Sequence, residues 1–368
     1  FSLFTFHFSL FMISIDGSFC EGGGQIVRNA LALSTITGRA FEITDIRKGR
    51  NKPGLKAQHV HAVKALKELC NAKVRGDSEG SLYLSYNPSV IKGKDLNVSI
   101  GTAGSITLLL QALVPPCLYS DKAMVITLRG GTDVKWAMPF DYFKEVYLPY
   151  LNMYGSVKVH TVKRGYYPKG GGELTLEIVP SGKSEFRNIV PPFDLTGRGE
   201  MIIIKGFVNS SSELETKSVG HRIAESAFNI LKDNGYKASI DVQYSRTMSA
   251  GCGIVLWAQF KNDSPWPVIT GADKLGERGV TSEEIGKKAA KKLLERIRCN
   301  APVDEHLADN LIILLALTGG AIKVEKISNH TRSAIYVAEK FLGKIFDVNV
   351  EENIVSVKSE GGRVKSEE

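Results

Sequence analysis

Residues 12–38, MISIDGSFCEGGGQIVRNALALSTITG, read as an alternating strand, a glycine-rich turn and a helix. Strand AFEITDIR, helix LKAQHVHAVKALKELC and strands around AKVRG, SLYLSY and LNVSIG complete a first unit. A second copy opens at residues 101–116, GTAGSITLLLQALVPP, and continues with strand KAMVITLRGG, helix PFDYFKEVYLPYLNMYG and strands SVKVHTV and GELTLEIVP. A third holds helices TSEEIGKKAAKKLLERI and DEHLADNLIILLALTGG, strand AIKVEKI, helix TRSAIYVAEKFLG and strands IFDVNVEE and IVSVKS. Three such stretches of roughly 80–100 residues predict an α/β (α+β) fold of three repeated βαβαββ units in one large domain.

Residues 181–273 break this rhythm. They open on SGKSEFRNIVPPF and carry strand MIIIKGFV, helix SVGHRIAESAFNILKDNG and strands ASIDVQY and GIVLWAQF, so they read as a smaller inserted α/β domain. Residues 12–180 and 274–358 remain for the repeats, and 359–368, SEGGRVKSEE, form a polar tail expected to be flexible. Residues 1–11, FSLFTFHFSLF, are apolar but carry no basic flank. They are about half the ~20 residues that a spanning helix needs. The reading is an upstream extension, with the functional chain starting near Met12.

Composition narrows the class. The chain has 368 residues, 43% hydrophobic and 23% charged, which supports a sizeable core and excludes disordered and fibrous classes. A net charge of +8 favours a polyanionic partner. Five cysteines, Cys20, Cys70, Cys117, Cys252 and Cys299, form no CxxC pair, which argues against a zinc ribbon or disulfide framework and for a cytoplasmic setting.

Two phosphate-binding motifs can be tested and discarded. GKS at 182–184 lacks the first Walker A glycine, because position 177 is Glu177. EGGGQ at 21–25 lacks the GxGxxG spacing. What remains there is a turn whose glycines allow close backbone approach and whose helix start offers unpaired N–H groups to an anion. Gln25 and Arg28 share one helical face, and Arg47, Lys48, Arg50, Lys52 and Lys56 cluster just downstream. GTAGS at 101–105, with Gln111 in the following helix, and GGTD at 130–133 occupy comparable turns. In DEHLADN, Asp304 is a candidate N-cap, while His306, Asp309 and Asn310 form a polar stripe on an apolar helix. His330 lies in SNHTRS between a strand and a helix. His59 and His61 point to different sides of their helix and cannot share a metal. No HExxH, GxSxG or Cys-His nucleophile pattern occurs.

These stretches, in order DGSFCEGGGQIVRNALALSTITG, IRKGRNKPGLKAQH, GTAGSITLLLQALVP, GGTD with AMPFDYF, RGYYPKGGGE, EHLADNLIILLAL and NHTRSAIYVAEKF, resemble the RNA 3'-terminal phosphate cyclase family from Asp16 to about Phe341. The resemblance implies three repeats with an inserted domain and an ATP-dependent, metal-assisted ligase reaction. His330 would take AMP from ATP as a phosphoramidate, AMP would pass to an RNA 3'-phosphate, and the neighbouring 2'-OH would close a 2',3'-cyclic phosphate.

By motif position the resemblance implies Glu21 as a ligand of Mg or Mn. It places Arg28, Arg47, Arg50, Gln58 and Gln111 on nucleotide or RNA phosphates, with Arg47 and Arg50 toward the RNA. The stretch His306, Leu307, Ala308, Asp309 and Asn310 would form the adenine side of an ATP pocket, with Pro139 (beside Met138) and Tyr142 opposite. Some family members carry Tyr where His306 stands and Gln where Asn310 stands. The implied partners are ATP and an RNA with a 3'-terminal phosphate, with no membrane, and the chain is expected as monomer or homodimer. Cyclase-like proteins of ribosome biogenesis, which lack the nucleophile, are the alternative. The presence of His330, Arg28, Arg50, Gln111 and Asp309 favours the enzyme.

Overall fold

A computed structural model describes residues 12–181 and 190–357. The expected extension, the tail and the GKS triplet lie outside those residues. The first repeat runs β1 (Ile13–Asp16), α1 (Gly24–Thr37), β2 (Phe41–Thr44), α2 (Ala57–Cys70), β3 (Lys73–Arg75) and β4 (Leu84–Asn87). Its sheet has the order β1-β2-β4-β3, with β1 parallel to β2 and β4 antiparallel to both β2 and β3.

The second repeat copies this plan. It comprises β5 (Leu96–Ser99), α3 (Ile106–Cys117), β6 (Met124–Gly130), α4 (Phe140–Tyr142), a π turn at Phe143–Tyr147, α5 (Leu148–Leu151), β7 (Gly155–Lys163) and β8 (Gly172–Pro180). The order β5-β6-β8-β7 reproduces the parallel first pair and the antiparallel remainder.

The third repeat is split. Its first strand is β9 (Phe193–Leu195), after which the chain makes β10 (Met201–Ser211), α6 (Val219–Asp233), β11 (Ala238–Ser245), β12 (Cys252–Phe260), β13 (Val268–Leu275) and α7 (Ser282–Cys299). It then returns as α8 (Glu305–Thr318), β14 (Gly320–Lys323), α9 (Asn329–Leu342), β15 (Phe346–Asn349) and β16 (Ile354–Val357). β9 lies parallel to β14, and the order β9-β14-β16-β15 is again that of the other two repeats. The inserted strands form their own sheet, β11-β10-β12-β13.

Three expectations are corrected, two by strand pairing and one by helix packing. LNVS pairs with β6 and so opens the second repeat instead of closing the first. Phe193–Leu195 was expected inside the insert but belongs to the third repeat's sheet. The helix TSEEIGKKAAKKLLERI was expected to start the third repeat, but as α7 it packs on α6, β12 and β13. The insert therefore sits between β9 and α8, and its ends differ from the expected 181 and 273. A three-residue strand next to two prolines carries almost no periodic signal. Its place is fixed by packing: the Phe193 ring stacks on Trp266 at 3.8 Å, and the Trp266 indole donates to Pro192 O at 3.0 Å.

The core lies among the helices behind these sheets. α1 packs against both α3 and α9, and α8 packs on α9. α8 buries residues nearly all round, from Leu307 and Ala308 through Leu311, Ile312, Leu314 and Leu315 to Ala316, as a helix enclosed by other elements must. Side-chain caps start three of these helices: Ser105 for α3, Asp304 for α8 and Ser328 for α9 each accept backbone N–H bonds. Among the described residues no helix is long and apolar enough to cross a membrane.

Candidate active site

The helix starts of α1 and α9 meet. α1 begins at Gly23, which has no side-chain cap, so its first backbone N–H groups stay available. Gly22 before it holds φ at +54°, a left-handed value suited to glycine. A Cβ on Gly23 would stand 3.5 Å from the His330 ring and 3.8 Å from an Arg50 nitrogen, and one on Gly24 would collide with the His59 ring. Gly23 thus lies in contact with the third repeat, and Gly24 leaves no room for a methyl against the His59 ring of its own repeat.

His330 occupies the first turn of α9, behind the Ser328 cap. Its Nε2 lies 3.6 Å from Glu21 Oε2, and the two side chains are 44% and 40% exposed. Glu21 also accepts from Arg50 at 3.2 Å and from Asn329 at 3.4 Å. Partial burial lowers the His330 pKa from 6.5; Glu21 opposes this, while Arg28, Arg50 and His306 add to it. The imidazole is therefore neutral near pH 7, with a lone pair to offer. Beside it Ser18, Cys20 and Glu21 face Lys48, Gly49 and Arg50 across a cleft of 590 Å³.

Behind His330, α1, α2 and α3 contribute a polar tier. Arg28 Nε donates to Gln111 Oε1 at 2.8 Å. Burial lowers its pKa to about 10, with Asp309 opposing, and it stays charged. Gln58 approaches the GTAGS turn, where a Cβ on Gly104 would lie 3.7 Å from its Oε1. His59 is buried, and its Nδ1 accepts the Lys56 N–H at 3.0 Å. Burial, then Arg28, Arg47 and Lys56, push its pKa well below 6.5, so it is a neutral structural ring.

On the α8 side, Asp309 Oδ1 accepts from Ser328 Oγ at 2.9 Å and Thr331 Oγ1 at 2.8 Å, the residues flanking His330. Burial raises the Asp309 carboxyl to about 7 against those hydrogen bonds. The Gln25 side chain donates to the Asp309 carbonyl at 3.1 Å. Asp304 is fully engaged, accepting from His306 N, Leu307 N, Gly271 N and the Tyr142 hydroxyl.

A family model described as RNA 3'-terminal phosphate cyclase matches residues 19–348. This chain belongs to that family. It is 40% identical to the RNA 3'-terminal phosphate cyclase of Archaeoglobus fulgidus over 94% of this chain and 100% of the relative. It is 42% identical to that of Methanococcoides burtonii over 94% and 99%. Identity to the one from Pyrococcus furiosus is 39%, over 92% and 95%.

Within this cyclase-family fold the other residues expected at the site differ in exposure and partners. Leu307 and Ala308 are wholly buried and pack the core. Tyr142 is also fully buried; its hydroxyl is committed to Asp304 at 2.7 Å and its ring meets His306 edge-on at 6.4 Å, so it supports that histidine from behind. Arg47 donates to the carbonyls of Lys52 at 2.7 Å and Gly54 at 3.0 Å and so holds its own loop. Asn310 folds back on the His306 carbonyl at 2.7 Å. The exposed His306 faces Lys292 Nζ at 3.4 Å, and Pro139 is buried at the edge of a second cleft.

Other contributors escaped the sequence reading. Ser328, Asn329 and Thr331 surround His330; the spacing of Ser328 and Thr331 about a helix start was the available signal. A buried cluster braces the GGTD loop. Arg164 pairs with Asp133 at 3.3 Å and Asp141 at 2.7 Å, and Asn209 of β10 donates to Asp141 at 3.1 Å. Nothing local marks that association.

Glu21 is the cleft's carboxylate. Among the described residues no three His, Cys, Asp or Glu side chains are grouped to hold a metal ion. A single carboxylate fits an ion of the Mg type, which takes one or two protein oxygens and completes its shell with substrate phosphates and water.

Proposed function

We propose that this chain is an ATP-dependent RNA 3'-phosphate cyclase working through a covalent AMP on His330. The carrying observation is the half-exposed imidazole of His330 held beside Glu21, Arg50 and the uncapped start of α1. In the first step an imidazole nitrogen attacks the α-phosphorus of ATP, a P–N bond forms, and the bond to pyrophosphate breaks. Arg28 and Arg50 supply positive charge where negative charge accumulates. An oxygen of the RNA 3'-phosphate then displaces the imidazole, and His330 recovers its lone pair. Finally the 2'-OH attacks the activated phosphorus, loses its proton and expels AMP.

Adenylylation gives a phosphate monoester a leaving group that it otherwise lacks, and covalent catalysis divides the difficult step. The vicinal hydroxyl makes closure intramolecular and restricts it to RNA. Glu21 is the residue that would hold a divalent ion, Mg or Mn, which when bound supplies charge neutralisation at the phosphates. Asp309, with Oδ1 committed to α9, keeps its second oxygen for an adenine amino group, and His306 offers an exposed ring to the base. Five free cysteines fit a reducing, cytoplasmic setting.

The test is incubation with α-labelled ATP and a divalent metal. Label is expected on the protein, absent in His330→Ala and partly retained in His306→Ala. Label persisting in His330→Ala overturns the assignment. Pyrophosphate release that needs a 3'-phosphorylated RNA and fails with a 3'-hydroxyl RNA checks the later steps.

A further inference from the structure

Trp136 is 95% exposed, whereas Trp257 and Trp266 are 5% and 1% exposed. Its φ of +62° is left-handed, a region that bulky side chains seldom adopt. The ring therefore contributes little to the core, and its face is open to a planar partner. Its loop forms one wall of a 440 Å³ cleft whose other wall belongs to the insert, with Lys274 at the end of β13 and Lys288 and Lys292 on α7.

Charge in this cleft is unbalanced. Lys135 reaches across to Glu277 at 3.0 Å, and Lys274 takes the other oxygen of the same carboxylate at 3.0 Å. Lys288 meets Glu284 at 3.4 Å on an exposed helical face, and Lys292 points at His306. The remaining acid of the lining, Asp273, is half-buried, and loss of solvent pushes its carboxyl up. Four ammonium groups against Glu277, Glu284 and a weakened Asp273 leave the cleft positive, and Lys292 connects it to the His306 edge of the active site.

We propose that this cleft holds the RNA strand on the 5' side of the reacting terminus, with one base stacked on Trp136 and backbone phosphates beside Lys288 and Lys292. The proposal rests on the cyclase reading above and gives the insert a part in substrate binding. Base stacking and phosphate contacts accept any sequence, so the cleft adds grip without sequence preference.

The experiment follows the emission of Trp136, the exposed tryptophan, during titration with an RNA that ends in a 2'-deoxy 3'-phosphate, without ATP. Quenching of the long-wavelength emission is expected. Trp136→Asn, whose side chain tolerates the left-handed backbone, is expected to bind at least about fivefold more weakly by anisotropy, and its melting temperature checks that it folds. Lys288→Gln should reduce the salt slope of binding by about 0.7. RNA binding that leaves the emission unchanged and is equal in Trp136→Asn overturns the proposal. Quenching by ATP alone as strong as that by RNA also overturns it, and assigns the cleft to the nucleotide. Absence of cyclic product from ordinary 3'-phosphorylated RNA would instead refute the reaction itself, whereas intact cyclisation with an unquenched Trp136 refutes only the cleft.

Discussion

Replacing Arg164 by Met tests the cluster that braces the GGTD loop against the insert. Arg164 is 3% exposed and is the cation between Asp133 and Asp141, which are 1% and 6% exposed at their side chains. Methionine fills much of the space but leaves two buried carboxylates facing each other, with only Thr132 and Asn209 as donors. Breaking a buried pair in this way costs about 3–5 kcal/mol. At about 2.1 cal/mol/K of unfolding entropy per residue, the 368-residue chain should lose about 4–7 °C in Tm.

The pH dependence gives the sharper readout. Burial already raises the Asp133 carboxyl, with Arg164 opposing, and removing Arg164 raises it further. A carboxyl whose folded pKa lies above its unfolded one binds more protons in the folded state, so stability is present at low pH and is lost as pH rises through the folded pKa. The variant's deficit should therefore shrink on acidification, by up to about 1.4 kcal/mol per pH unit for the Asp133 carboxyl. Paired thermal melts of both proteins at pH 5 and pH 8 measure it. A deficit equal at both values, or a variant as stable as the parent, refutes the reasoning.

Gly24→Ala places a methyl against the pinned His59 ring and should cost about 1–3 kcal/mol by overpacking; unchanged denaturation midpoints would contradict this close approach of α1 to α2. Asp309, raised to about 7 from 3.8, retains a proton in the folded state across roughly that window, so it contributes stability at low pH that is lost as pH rises through 7. Asp309→Asn removes this dependence. The melting temperature of that variant relative to the parent should rise from pH 5 to pH 8, and a constant difference would show that the carboxyl titrates normally.

The first two repeats are legible because each carries a Gly-rich turn feeding an apolar helix, and the third because Asp304 caps the apolar helix α8, patterns local enough to survive in sequence. Their first strands were assigned to the preceding segment twice, at Leu96–Ser99 and Phe193–Leu195, because a strand's sheet is decided by partners far along the chain. Glu21, Arg28, Arg50, Gln111 and His330 stand out in the motifs as candidates, and the fold places them near one another. Leu307, Ala308 and Tyr142 lie in or beside the motifs that carry the polar residues, but helical rotation turns them inward. Arg47 stands in a basic run that reads as a phosphate site, and one of its guanidinium nitrogens, Nη1, holds the carbonyls of Lys52 and Gly54 in its own loop. The Arg164 cluster joins positions 133, 141, 164 and 209. Only the fold makes them neighbours.

The split third repeat also sets an order of assembly. Phe193 pairs with Gly320, 127 positions later, whereas the inserted sheet closes through neighbouring strands of its own. Long-range parallel pairing is slow because loop closure precedes any gain from contact. The insert should thus acquire hydrogen-exchange protection before β9 does. During synthesis β9 must wait, unpaired, until β14 has left the ribosome. The stack of Phe193 on Trp266 gives this waiting strand an interim place to dock, on an element that is already folded.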